Sequence, residues 1–266
     1  MGSHFAVALG LTTAAGLSTV LGGALVLFSR KNNPRLLAFG LAFAAGAMVY
    51  VSLAEILPKA TAAFTLTTGA RTGMALGTVA FIAGLLLILA IDHFIPNPHD
   101  RLEHGHTEGS DSGTHSSLPR LGLLTALAVT AHNLPEGMAT FFASLDNPAI
   151  GLPLALAIAI HNIPEGIAVA LPVFVATGSR RAALLASLVS GLAEPVGALL
   201  GYAVIGPFLS PTTQGAVFGV IAGIMVFLAL DELLPAAKHH ARGHETVYGL
   251  VGGMAVMALS LVLLQW

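Results

Sequence analysis

The sequence predicts an all-α integral membrane protein of eight transmembrane helices in a 3+2+3 inverted-repeat arrangement. Three observations carry that expectation: a composition too apolar for water, apolar runs of spanning length, and a doubled six-residue motif between inverted flanks. Of 266 residues, 55% are hydrophobic and 9% charged, with mean hydropathy +0.85. A soluble domain carries roughly 25% charged residues, so this chain lacks the polar surface to face water, and its first partner is the lipid bilayer. The formal net charge of −2 and the lack of a basic run exclude nucleic acid. With no cysteine, disulfides, iron–sulfur clusters and thiolate ligands are excluded as well.

A spanning helix takes roughly 20 apolar residues. Cutting at the Arg/Lys, Pro and Asn clusters gives spans near 5–29, 34–57, 73–95, 119–142, 148–175, 181–206, 212–235 and 246–265. The first run is too long for the core of a cleaved signal peptide and has no Lys or Arg before it, so it is expected to remain a span. Together the spans form one transmembrane domain over 1–266. It is interrupted by the polar segment 96–118, PNPHDRLEHGHTEGSDSGTHSSL, which is expected to be a flexible loop.

Orientation follows from the basic residues. Alternate connections hold Arg30, Lys31, Arg35, Arg101, Arg120, Arg180, Arg181, Lys238 and Arg242 on one side, against Lys59 and Arg71 on the other. That asymmetry puts both termini outside and the 96–118 loop in the cytoplasm. The second span ends in AEILPKA (54–60) and the seventh in DELLPAAK (231–238), on spans of opposite direction. Inverted repeats about a central pair are a signature of secondary transporters. Small residues recur at helical spacing in Gly73/Gly77, Gly197/Gly201, Gly215/Gly219/Gly223 and Gly249/Gly253. Such faces let membrane helices approach closely. Packing within the chain is the preferred reading, and a homodimer seam along one of them is compatible with the pattern.

The chemistry lies in the central pair. His132, Asn133, Leu134, Pro135, Glu136 and Gly137 recur as His161, Asn162, Ile163, Pro164, Glu165 and Gly166. At about 100° per residue, His132 and Glu136 lie about 40° apart on one helical face, and Asn133 lies about 60° to the other side of the same carboxylate. Each glutamate is thus placed to serve two adjacent subsites. Glu194, followed by Pro195, sits at similar depth on the sixth span. Pro135 and Pro164 lack an N–H and are expected to kink their helices and free a carbonyl beside the ligands. Three unpaired glutamates at the bilayer centre would cost roughly 10 kcal/mol on insertion scales. Either they are protonated or an external cation resides among them. Two imidazoles, two amide oxygens and three carboxylates suit a borderline divalent ion such as Zn²⁺ rather than Mg²⁺ or Ca²⁺.

HNLPEG, HNIPEG and SGLAEPVGA (190–198) together resemble the ZIP family of divalent-metal transporters, in its bacterial zinc-uptake branch. The likeness covers essentially the whole chain. It implies a two-metal transport site, with one subsite of His132, Glu136, His161 and Glu165. The other would use Asn133, Glu136, Asn162, Glu165 and Glu194, with the motif glutamates bridging. Some members carry Gln or Asp at the first two positions of the second motif. His161 and Asn162 therefore give one more nitrogen and one less charge here, which leaves the selectivity order open. Met48 stands near where some relatives place a further ligand, although packing is the reading preferred for a lone Met.

Other groups are candidates for the pathway. Asp92 and His93 end the third span, and Asp231 and Glu232 lie near the cytoplasmic end of the seventh; both sets serve equally as release groups or as interfacial caps. Glu55 mirrors Glu232 at the outer end of the second span and is the entrance candidate. His99, His104, His106 and His115 in the loop, with His239, His240 and His244, suit weak metal binding. The function expected is uptake of Zn²⁺, with Fe²⁺, Mn²⁺, Co²⁺ and Cd²⁺ as competing cargo, the ion being substrate and no catalytic cofactor being needed. No G-x-x-x-x-G-K-[ST] is present, so the expectation is no enzyme but a carrier or a selective channel without ATP hydrolysis. The rival classes are an intramembrane metal-dependent enzyme and a non-transporting metal receptor. For the enzyme, HETVY (244–248) fails the H-E-x-x-H pattern and H-x-x-x-E reverses the di-iron order; for the receptor, only the His loop speaks.

Overall fold

The computed structural model describes residues 2–28, 34–94 and 117–264. The His-bearing stretch 99–115 lies outside the described residues, as do Arg30 and Lys31. The described chain forms α1 (Gly2–Val26), α2 (Pro34–Val51), α3 (Leu57–Thr68), α4 (Ala70–Phe94), α5 (Ser117–Asp146) and α6 (Pro148–Thr177). Then come α7 (Arg180–Ile205), α8 (Pro211–Leu228), α9 (Leu234–His240) and α10 (Glu245–Leu264), and no strand occurs among the described residues. Seven helices there are long and apolar enough to cross a membrane. The helix α5, at 30 residues, has the length but is less apolar and is not among the seven.

Two spans outrun their expected ends. A cut at Pro58 and Pro235 assumed that proline stops a helix, yet the apolar rods run Pro34–Thr68 and Pro211–His240. Each passes its proline through one π turn, Ser52–Ile56 in the first and Ala229–Leu233 in the second. In α register the residue at 58 would donate its N–H to the carbonyl of Ala54, which proline cannot do, and its ring would clash there. Widening the turn relieves both faults: Leu57 N–H reaches the Ser52 carbonyl, and Leu234 N–H reaches that of Ala229. The related strings AEILP and DELLP therefore build the same local structure.

Elsewhere the chain turns back sharply, and the capping residues show why. Asn147 accepts from Ala149 N–H at 3.0 Å ahead of Pro148, joining α5 to α6. Gly178, at φ 67°, closes α6 in the left-handed region that glycine alone adopts without strain, and the Ser179 hydroxyl caps α7 at Ala182. Ser210 caps α8 in the same way.

The helices pack as two groups. One comprises α1, α5, α6 and α7; the other α2, the α3–α4 hairpin, α8 and α10; they meet mainly along α2 against α6 and α5 against α8. In α2–α3 and α6, 67% of the apolar stretch is buried, against 17% in α4, so the former are central and the latter presents its face outward. Thr67 meets Thr212 at 3.2 Å at one end of the molecule, and Arg35 meets Glu245 at 3.3 Å where α2 and α10 begin. The glycine faces are consumed inside the chain. A Cβ on Gly223 would lie 2.2 Å from the Phe81 carbonyl, one on Gly253 2.0 Å from that of Phe43, and one on Gly197 2.3 Å from that of Leu134.

Candidate metal site between the paired motifs

Both HNxPEG motifs lie within unbroken helix: α5 runs through Pro135, α6 through Pro164 and α7 through Pro195. The glycine closing each motif is what brings the helices close enough to share a site. A Cβ on Gly137 would sit 2.0 Å from the Glu194 carbonyl of α7, and one on Gly166 1.9 Å from the Thr19 carbonyl of α1. The residues just before these glycines, Glu136 and Glu165, belong to one buried cluster.

Asn133, Glu136, His161, Asn162, Glu165 and Glu194 are all buried there, none more than 1% exposed. His161 Nε2 contacts Glu136 Oε1 at 2.8 Å, and Glu136, His161 and Glu165 bring ligand atoms within 4.8 Å of one another. Helix α5 is lashed to α7 by Asn133 Nδ2, which donates to the Ser190 carbonyl at 3.0 Å and to its hydroxyl at 3.2 Å. Asn162 Nδ2 likewise donates to the Ala15 carbonyl of α1 at 2.9 Å and to Glu194 Oε1.

The amide donors are thus spent on neighbouring helices, and what remains is nearly all acceptor. Asn133 Oδ1, Asn162 Oδ1, Glu136 Oε2, Glu194 Oε2, both Glu165 oxygens and His161 Nδ1 have no hydrogen-bond partner among the described residues. Buried polar atoms are almost always bonded. Where Glu136, His161 and Glu165 converge with few donors at hand, a cation would stabilise their lone pairs, and a set of imidazole, amide and carboxylate groups fits a divalent transition ion.

The remaining expected residues distribute as follows. His132 is helical within α5, and its side chain lies outside the described residues, as do those of Asp92 and His93. Met48 is buried in the apolar core on α2. Glu55 lies in the first π turn and pairs with Lys59; Asp231 and Glu232 lie in the second. Ser190 and the α1 residues Ala15 and Thr19 were not anticipated. The small residues of the first span, Gly16, Gly22 and Gly23, signal that α1 approaches other helices closely, but not which of its side chains that approach brings to the site.

A buried, donor-poor cluster of imidazole, amide and carboxylate groups among helices of membrane-spanning length is an arrangement that suits a cation inside the bilayer. The chain is a member of the ZIP zinc transporter family, whose profile matches residues 96–261. It is similar to the zinc transporter ZupT of Stenotrophomonas maltophilia (strain K279a), 63% identical over 260 residues, covering 98% of this chain and 96% of that protein. It is 59% identical over 264 residues to the ZupT of Neisseria meningitidis serogroup B, covering 99% and 98%. With the ZupT of Chlorobium luteolum it shares 50% identity over 268 residues, covering 98% and 99%.

Proposed function

We propose that this protein carries Zn²⁺ into the cytoplasm across a bacterial inner membrane, through the buried cluster on α5, α6 and α7, without nucleotide hydrolysis. The observation that carries the reading is the convergence of Glu136, His161 and Glu165 within 4.8 Å on two proline-bearing helices. In this reading α5 is the eighth membrane crossing, its polar motif facing the cluster rather than lipid. The mirrored packing of the helices supports a 3+2+3 inverted repeat: α2 against α10 answers α8 against α4, and α1 against α6 answers α7 against α5. Both termini then lie outside.

The site is a two-metal one, with two adjacent subsites bridged by the motif glutamates. His132, Glu136, His161 and Glu165 form one, and Asn133, Glu136, Asn162, Glu165 and Glu194 the other. Deprotonated ligands are needed for binding, so the ion takes the place of protons at the two motif glutamates. Glu55, paired with Lys59 at one end, and Asp231 with Glu232 at the other, mark the entrance and the release side; Asp92 and His93 belong to the latter.

The test is Zn²⁺ flux into proteoliposomes. Glu136→Ala and Glu165→Ala are each expected to abolish uptake in protein that still inserts. Near-normal uptake by either removes the shared-ligand role, and absence of flux by the parent protein favours a receptor or enzyme.

A further inference from the structure

The seam between α1 and α7 is built almost symmetrically. Cβ atoms on Gly16 and Gly191 would each sit 2.2 Å from the carbonyl oxygen of the other. Around that point, Ala15-Gly16-Leu17-Ser18-Thr19-Val20-Leu21-Gly22 aligns with Ser190-Gly191-Leu192-Ala193-Glu194-Pro195-Val196-Gly197. The contacts align too. A Cβ on Gly191 would lie 3.4 Å from Thr19 Cβ, and one on Gly16 3.2 Å from Glu194 Cβ. Gly22 packs on the Ile163 carbonyl as Gly197 packs on that of Leu134, the same position of each motif. Asn162 bonds the Ala15 carbonyl as Asn133 bonds that of Ser190. Thr19 thus stands across a local two-fold from Glu194.

The two sides differ in one respect. The second donor contact of Asn162 goes to Glu194, whereas that of Asn133 goes to the Ser190 hydroxyl. Thr19 is left over. Its side chain is fully buried and its Oγ1 has no partner among the described residues. The usual escape for a helical threonine, a bond to the carbonyl four residues back, is not taken; that Ala15 oxygen accepts from Asn162 Nδ2 and also faces the Ser18 hydroxyl, whose one proton it shares with the Ala159 carbonyl.

We propose that Thr19 belongs to the ion-binding site: its hydroxyl accepts a hydrogen bond from a water carried by the ion, at the position where symmetry would otherwise put a fourth carboxylate. A neutral group there keeps the site at three carboxylates, so the ion is not over-neutralised and can leave. The inference rests on the transport reading above. It brings α1, outside the family-like motifs, into the shell around the cargo. Ions that prefer oxygen ligands and water, such as Mn²⁺, depend on it more than Cd²⁺ does.

The experiment compares Thr19→Val with Thr19→Ser, in Zn²⁺, Mn²⁺ and Cd²⁺ uptake by proteoliposomes and in calorimetric titration of the same ions into detergent-solubilised protein. Thr19→Ala repeats the measurement should the valine variant fail to insert. Loss of the hydroxyl is expected to weaken apparent affinity about tenfold in both readouts, the upper end for one hydrogen bond to a neutral partner, and more for Mn²⁺ than for Cd²⁺. The serine variant should match the parent. A purely structural threonine predicts the opposite, since valine has the same shape and removes only an unpartnered hydroxyl. Parental affinities in the valine or alanine variant, or an equal loss in the serine variant, overturn the proposal. Glu136→Ala runs in parallel: if it transports normally the whole site reading fails, and if it is inactive while Thr19→Val is normal, only the role of Thr19 fails.

Discussion

Both carboxylate oxygens of Glu165 are buried without a partner among the described residues, while one oxygen of Glu136 is met by His161 and one of Glu194 by Asn162. A charge at the bilayer centre costs roughly 2.5–3.5 kcal/mol on insertion scales, so Glu165 gains most from an ion. Glu165→Gln keeps the volume and removes the charge. It is expected to reduce Zn²⁺ uptake to vesicle background, with a normal gel-filtration profile; substantial uptake would mean that its charge is not what holds the ion. His161→Ala leaves the carboxylates and should lower affinity rather than abolish flux, read as a raised KM. At this scale the buried polar groups of α5, α6 and α7 were legible in the sequence, because a polar group inside an apolar run is conspicuous. Thr19 and Ser190 were not, because a hydroxyl in a membrane helix is ordinarily satisfied by its own backbone and only the packing shows which one is left over.

At the scale of helices, seams between backbones set the geometry of the ligands. Gly166 lies beside Glu165 and packs on the Thr19 carbonyl, so Gly166→Ala places a methyl 1.9 Å from an oxygen that cannot move without its helix. Overpacking of this kind costs about 1–3 kcal/mol. The variant is expected to lower the thermal midpoint in detergent and to weaken Zn²⁺ binding, by pulling α1 from α6. Gly10→Ala is the control, since a Cβ there meets nothing within 4 Å, and it should leave both unchanged. Equal behaviour of the two would remove the seam from the account. The positions of the spans were readable from hydropathy, but their true lengths were not. Proline reads as a stop in sequence, and nothing in AEILP or DELLP announces that the backbone will widen into a π turn and continue. Nor does the sequence reveal that Glu55, Asp231 and Glu232 sit in those turns, where backbone geometry re-aims them.

For the whole molecule, the account requires alternating spans with α6 and α2 at the junction of two helical groups. Because the chain has no cysteine, single reporters are clean. Thr212→Cys, near the Thr67 contact, is expected to react with a membrane-impermeant maleimide in intact cells; Thr177→Cys, at the opposite end of α6, should react only after permeabilisation. The reverse pattern would invert the topology and make the protein an exporter by the same site. The 3+2+3 order was suggested by the motif pair and its flanks, and glycine spacing announced close packing, but which helices the glycines join, and hence the division into two packed groups, shows only in the contacts. The central claim is that Glu136, His161 and Glu165 hold one ion together. Zinc X-ray absorption on the purified protein tests it most directly. The account predicts a shell of nitrogen and oxygen only, at about 2.0–2.2 Å, with imidazole scattering diminished in His161→Ala and the bound zinc lost in a Glu136→Ala/Glu165→Ala double variant. Zinc retained by that double variant with an unchanged spectrum would contradict it.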